Sequence, residues 1–117
     1  MSDVKTNSPL VPTARKEGDA LVASVAGDID LNNSPVLRAT LFELLRNHSP
    51  KKLILNLAAV PYMDSSAIAV LVELMRKMKG GKIVLASLQP RVKGLLEIAR
   101  LDSIFAVTGT EQEALAR

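Results

Sequence analysis

Residues 62–71 have the sequence YMDSSAIAVL, in which one acidic residue and two serines lead directly into an apolar run. The segment before it, KLILNL at residues 52–57, has the composition of a buried strand. The pattern predicts a strand, a short loop and a helix that begins at the serines. The first turn of a helix has unpaired backbone N–H groups and the positive end of the helix dipole, so it would stabilise a phosphoryl group on Ser65 or Ser66. An ordinary N-cap formed by Asp64 or Ser65 is the alternative.

The composition indicates one aliphatic domain. The chain has 117 residues, of which 48% are hydrophobic and 3% aromatic, and it contains no cysteine. These values suit a single core and exclude disulfides, thiolate metal sites and a cysteine nucleophile. No apolar run is long enough to span a membrane, and residues 1–16 lack the apolar stretch of a signal peptide. We therefore expect a soluble cytoplasmic protein with no direct membrane insertion.

The basic residues are scattered rather than gathered into a stripe. The formal net charge is +3, but the 15 Lys and Arg residues occur in ones and twos without interleaved aromatics. This pattern does not favour nucleic-acid binding. The densest group, Arg76, Lys77 and Lys79, is expected to be solvated or to lie at a helix end, with a basic patch for an acidic partner protein as the alternative.

The period of the apolar residues separates strands from helices. Five strands are predicted near residues 13–16, 20–26, 52–57, 82–87 and 104–107, and four helices begin near residues 34, 65, 90 and 110. This alternation predicts an α/β fold with a mixed, mostly parallel sheet of four to five strands and about four helices. We expect a flexible N-terminal tail over residues 1–13 and one folded domain over residues 14–117.

The helix after the serines has more apolar residues than one face accommodates. Helical spacing assigns to the core Ile68, Leu71, Val72, Met75 and Met78. Val70 and Leu74 fall outside this set, which predicts a docking patch for a partner; cover by a neighbouring helix or by the tail is the alternative.

Catalysis is not expected. Ser66, His48 and Asp64 are the residue types of a hydrolytic triad, but no Gly-x-Ser-x-Gly sequence surrounds either serine. The chain has a single histidine and no glycine-rich phosphate loop near the serines. We expect no catalytic residues, no metal and no cofactor.

Five short segments, in their order and spacing, resemble the STAS family and, within it, the bacterial anti-sigma factor antagonists. The segments are GDID at 27–30, LNL at 55–57, MDSS at 63–66, GGKIV at 80–84 and VKGLL at 92–96. The resemblance extends over about residues 14–117.

The resemblance implies a phosphorylation switch. In the family, the second serine of an Asp-Ser-Ser-Gly motif is phosphorylated by a partner anti-sigma factor that is also a serine kinase. The matching residue is Ser66, with Ser65 as the second candidate. The unphosphorylated antagonist binds the anti-sigma factor and frees the sigma factor; phosphorylation breaks this complex, and a serine phosphatase restores it. Partner release with little change of fold is the expected mechanism, because a phosphate next to Asp64 would place charge that a packed partner cannot solvate.

The resemblance also gives a partner surface. Asp30 matches the aspartate that closes the family's Gly-x-x-Asp loop; an ordinary turn-forming role is the alternative. The full set of predicted partner-binding residues is Asp30, Asp64, Ser65, Ser66, Ala67, Val70 and Leu74. Ala67 stands where the family has glycine, and we expect its methyl group to favour the helix and to hinder the approach of a kinase. The alternative function is a constitutive STAS interaction module, such as a cytoplasmic subunit of a lipid-transport ABC complex or a stress-signalling scaffold. A weak homodimer is left open.

Overall fold

The strands lie in chain order across one sheet in the computed structural model, which describes residues 2–117. They are β1 (Ser2–Val4), β2 (Thr13–Glu17), β3 (Ala20–Ala26), β4 (Lys52–Ala59), β5 (Lys82–Ala86) and β6 (Ala106–Thr108). The helices are α1 (Ser34–His48), α2 (Ser65–Lys77), α3 (Pro90–Ile98) and α4 (Glu111–Ala116). The predicted α/β class and the four helices are confirmed, and within the described residues the sheet has six strands rather than four to five.

The sheet is mixed, as the sequence predicts. β1, β2 and β3 pair antiparallel, whereas β3, β4, β5 and β6 are parallel. Helices α1, α2 and α3 connect the parallel strands, and each connection moves one strand further in the same direction. Because such crossovers are right-handed, all three helices lie on the same face of the sheet.

The central strands are buried on both faces, which explains their nearly continuous apolar sequences. Leu21, Leu53 and Leu55 belong to the large core beneath α1, α2 and α3. On the opposite face, Ile54 packs in a smaller cluster with Ala114 of α4. Because β3 and β4 are parallel neighbours, the loops that follow them lie side by side at the C-terminal ends of these strands, where α1 and α2 begin.

The additional strand lies in the segment for which a flexible tail is predicted. Ser2–Val4 pairs antiparallel with β2, and the Val11 side chain is fully buried in the main core. The Ala26 N–H donates to the Leu10 carbonyl oxygen at 2.9 Å, which fixes the connection between β1 and β2. The structure thus has a strand and a buried side chain within residues 2–13, whereas the flexibility of this segment stays a prediction; Met1 lies outside the described residues. The segment is rich in prolines and polar residues, so its sequence pattern does not indicate that Val11 is buried in the core.

Candidate functional site

Helix α2 begins with a cap made by Asp64. Its Oδ1 atom accepts a hydrogen bond from the Ser66 backbone N–H at 2.9 Å and a second one from the Ser66 hydroxyl. Ser65 is the first helical residue, and it is exposed, whereas Ser66 is half-buried. Of the two capping residues that the sequence allows, the structure selects Asp64.

The loop after β3 is held against the loop after β4. The Ile29 N–H donates to the Tyr62 carbonyl at 3.0 Å, and the Asp64 N–H donates to the Ile29 carbonyl at 3.1 Å. The second oxygen of the Asp64 carboxylate, Oδ2, accepts from the Leu31 N–H at 3.2 Å. One carboxylate therefore joins the candidate serine to the neighbouring loop.

Asp30 organises this loop from within. Its Oδ1 atom accepts from the N–H groups of Asn32 at 2.9 Å and Asn33 at 3.1 Å, and its own N–H donates to Asn33 Oδ1 at 2.8 Å. Asn33 is the N-cap position of α1. The side chain of Asp30 thus does what turn-forming aspartates do, and the half-buried residue sits next to the exposed Leu31.

Hydrogen bonds to its carboxylate lower the pKa of Asp64 below the ordinary value. The hydroxyl of Ser66 makes the largest contribution, partial desolvation opposes it, and the N–H groups of Ser66, Leu31 and Ala67 add to the lowering. Asp64 is therefore ionised at neutral pH. Because the hydroxyl hydrogen of Ser66 points to this carboxylate, the lone pairs of the Ser66 oxygen are directed away from it.

Ser66 opens onto a shallow groove between the first turns of α1 and α2. The groove has a volume of about 240 Å³, and its lining residues are Ser34, Pro35, Arg38, Ser66, Ala69, Val70 and Glu73. An ion pair across it joins Arg38 and Glu73 at 3.0 Å. Leu31, in the loop bonded to Asp64, is 74% exposed, and Val36, in the first turn of α1, is 49% exposed. We call Leu31, Val36 and Ser66 the serine surface.

The sequence profile of the STAS domain matches residues 11–114. The chain belongs to the STAS domain family. The anti-sigma-B factor antagonist of Bacillus subtilis (strain 168) is 31% identical over 104 residues, which are 87% of this chain and 93% of that protein.

Solved STAS structures share the fold. The crystal structure of TM1081 from Thermotoga maritima superposes with a TM-score of 0.84 at 23% identity, over 92% of this chain and 93% of that one. The Bacillus cell fate determinant SpoIIAA in its phosphorylated form gives a TM-score of 0.68 at 20% identity, over 89% of this chain and 96% of that one.

The STAS domain does not expose the predicted docking patch on α2. Val70 is 4% exposed and Leu74 is fully buried, both in the core beneath the helices. Because α2 packs against α1 as well as against the sheet, its buried surface is wider than one helical face. Val70 and Leu74 therefore hold α2 in the core, and the exposed apolar side chains nearest in the chain to α1 are Leu31 and Val36.

Ala67 also lies away from the surface. Its side chain is 1% exposed and packs in the core, so the methyl group does not stand between Ser66 and an approaching protein. The predicted hindrance to a kinase is not supported by this position.

Sequence reasoning missed Leu31 and Val36. Leu31 occupies a polar loop, where no periodicity marks its orientation, and Val36 lies outside the buried stripe of α1. An apolar side chain flanked by Asp30 and Asn32 was the available signal.

Within residues 2–117, no group of three or more His, Cys, Asp or Glu side chains is placed to bind a metal. The part of the chain that the structure describes has no helix with the length and apolarity needed to cross a membrane.

Proposed function

We propose that this STAS domain is an anti-sigma factor antagonist. In the cytoplasm its unphosphorylated form binds an anti-sigma factor that is also a serine kinase, and a sigma factor is released. Phosphorylation of Ser66 ends the interaction, and a serine phosphatase reverses it. The names of the curated relatives support the class. The observation that carries the switch is the position of Ser66, at the N-terminus of α2 and in the lining of a groove between α1 and α2.

The serine surface explains how one phosphate could control binding. A partner that covers the groove lined by Ser66, together with Leu31 and Val36, removes water from Ser66. A phosphate there would add about −1.5 to −2 charges beside the ionised Asp64, and the covered interface could not solvate them. In the free protein the same phosphate faces water and the positive end of α2. The partner's affinity therefore falls while the fold is kept.

Ser66 is the better candidate of the two serines. Its hydroxyl donates to Asp64 and lines the groove, so a phosphate on it would replace a contact at the centre of the proposed interface. Ser65 is exposed and does not line this groove. Ser65→Asp is therefore the matched control for Ser66→Asp, because it places the same charge one residue away in the same helix turn.

The test uses the full chain and each candidate serine-kinase anti-sigma factor encoded in the same genome. Incubation with ATP should place phosphate on Ser66, read by fragment-ion mass spectrometry, and Ser66→Ala should abolish it while Ser65→Ala retains it. Ser66→Asp should weaken binding by at least about thirtyfold, because an unpaired charge in a covered interface costs about 2–5 kcal/mol. Ser66→Ala should bind as the parent does.

Circular dichroism and thermal unfolding should show both Ser66 variants folded. Equal binding by Ser66→Asp and Ser66→Ala would contradict the switch. A partner that binds equally with and without ATP, and leaves Ser66 unphosphorylated, would instead identify a constitutive interaction module.

A further inference from the structure

A second groove lies at the opposite ends of α1 and α2. It has a volume of about 370 Å³, and its lining residues are Phe42, Leu45, Arg46, Ser49, Pro50, Lys77 and Met78. Phe42, Leu45 and Met78 form an apolar floor that is continuous with the main core. Ser49 and Pro50 close one end, just after α1. We call this the basic groove, because both of its charged lining residues are cations.

A shallower hollow extends the basic groove along the helix pair. It measures about 300 Å³ and is lined by Phe42, Glu73, Arg76 and Lys77. Glu73 is the single acid among these lining residues, and it is paired with Arg38 at 3.0 Å. Across residues 2–117, no carboxylate lies within ion-pair distance of Arg46, Arg76 or Lys77.

The negative C-terminal ends of the two helix dipoles do not neutralise the positive charge of the basic groove. α1 and α2 both end at the basic groove, and each C-terminus carries the equivalent of about −0.5 charge, or about −1 in total. Arg46, Arg76 and Lys77 supply three positive charges around the same apolar floor. The groove therefore keeps a net positive charge that would favour an anionic ligand.

We propose that the basic groove binds an acidic peptide segment of a partner protein. One bulky apolar side chain of the segment would cover Phe42, Leu45 and Met78, and flanking carboxylates would pair with Arg46, Arg76 and Lys77. The concave floor suits a single inserted side chain rather than a flat bilayer surface. Ser66 and Lys77 are separated by about 16 Å along α2, so this site is distinct from the serine surface.

Selection of short random peptides displayed on phage against the immobilised full chain tests the proposal. Enriched peptides should combine a Leu, Ile, Met or Phe with at least two acidic residues. The double variant Arg46→Glu/Lys77→Glu should bind these peptides about tenfold more weakly, since two attractive contacts become repulsive. Lys16→Glu/Lys93→Glu is the matched control, because it changes two exposed lysines elsewhere by the same total charge and should leave binding unchanged.

Two further measurements complete the test. Thermal unfolding should show that both double variants are folded, and Ser66→Asp should bind the selected peptides as the parent does. Peptides without acidic enrichment, or equal binding by Arg46→Glu/Lys77→Glu, would overturn the proposal. Absence of selected peptides together with charge-dependent binding to phosphatidylglycerol-containing vesicles would also overturn it, in favour of a membrane surface.

Discussion

The first turn of α2 and the turns that follow it differ in almost every physical respect. Asp64, Ser65 and Ser66 are polar and at least partly accessible, and their hydrogen bonds extend to the loop after β3. The next turns are anchored by Ala67, Val70, Leu71 and Leu74, each at most 4% exposed. A single helix thus begins with accessible polar residues and continues with residues that are buried in the core.

With this division, the proposed switch would act without unfolding the domain. Core packing holds α2 in place whether or not its first turn carries a charge. The first turn is bonded through Asp64 to the loop that exposes Leu31, so charge and exposed apolar surface stay close together. The buried residues of α2, which we call the anchor, fix the position of the helix, and the polar first turn determines the charge of the serine surface.

The largest expected effect comes from breaking the anchor. Leu74→Ala removes a fully buried side chain and should lower the free energy of unfolding by about 2–5 kcal/mol, measured by urea denaturation. Leu31→Ala is the matched control: it is the same substitution at a 74% exposed side chain and should change stability by less than about 0.5 kcal/mol. Similar losses in the two variants would show that the loop is part of the anchor.

The sequence predicted the alternation of strands and helices and the start of α2, because apolar period and turn residues are local signals. Val70 and Leu74 were predicted to lie outside the buried face of α2, but both are buried. The alternative, cover by a neighbouring helix, fits the structure, because α1 packs against α2 and widens its buried surface. Helical period indicates which residues share a face. It does not indicate how many faces are covered.

Loops and termini gave the other differences. Leu31 lies outside any periodic segment, and its N–H donates to the Asp64 carboxylate, 33 residues later in the chain. The N-terminal strand depends on pairing with β2 and on Val11, an isolated apolar side chain among polar residues and prolines. Both features arise from long-range contacts that single-sequence patterns do not encode.

Ala67 marks the boundary between the two regions, and its replacement should have an intermediate effect. Ala67→Gly should lower the free energy of unfolding by about 1 kcal/mol, because glycine is the poorer helix former. The rate at which Ser66 is phosphorylated should not change, since the methyl group is buried in the core. A faster phosphorylation of the folded variant, measured against the parent by mass spectrometry, would show that the methyl group obstructs the kinase after all.

The smallest effect is expected within the first turn, from Asp64→Asn. Asparagine caps helices about as well as aspartate, so the cap on Ser66 is kept. The substitution removes the negative charge and the acceptor for the Leu31 N–H, because an amide nitrogen cannot accept a hydrogen bond. The pKa of Asp64 is lowered in the folded protein, first by the Ser66 hydroxyl, so its ionised form contributes stability above the unfolded pKa of about 4. This contribution is lost as the pH falls through the folded pKa. Urea unfolding should therefore show parent and variant furthest apart at neutral pH and converging in acid.

Ser66→Ala sharpens the same measurement. Without the hydroxyl, the pKa of Asp64 should move back towards its ordinary value, because the largest cause of its lowering is gone. In that background the Asp64→Asn difference should be smaller at neutral pH and should disappear at a higher pH. A difference that is independent of pH in both backgrounds would mean that Asp64 acts as a neutral cap. The charge of the first turn would then have no energetic link to the switch serine.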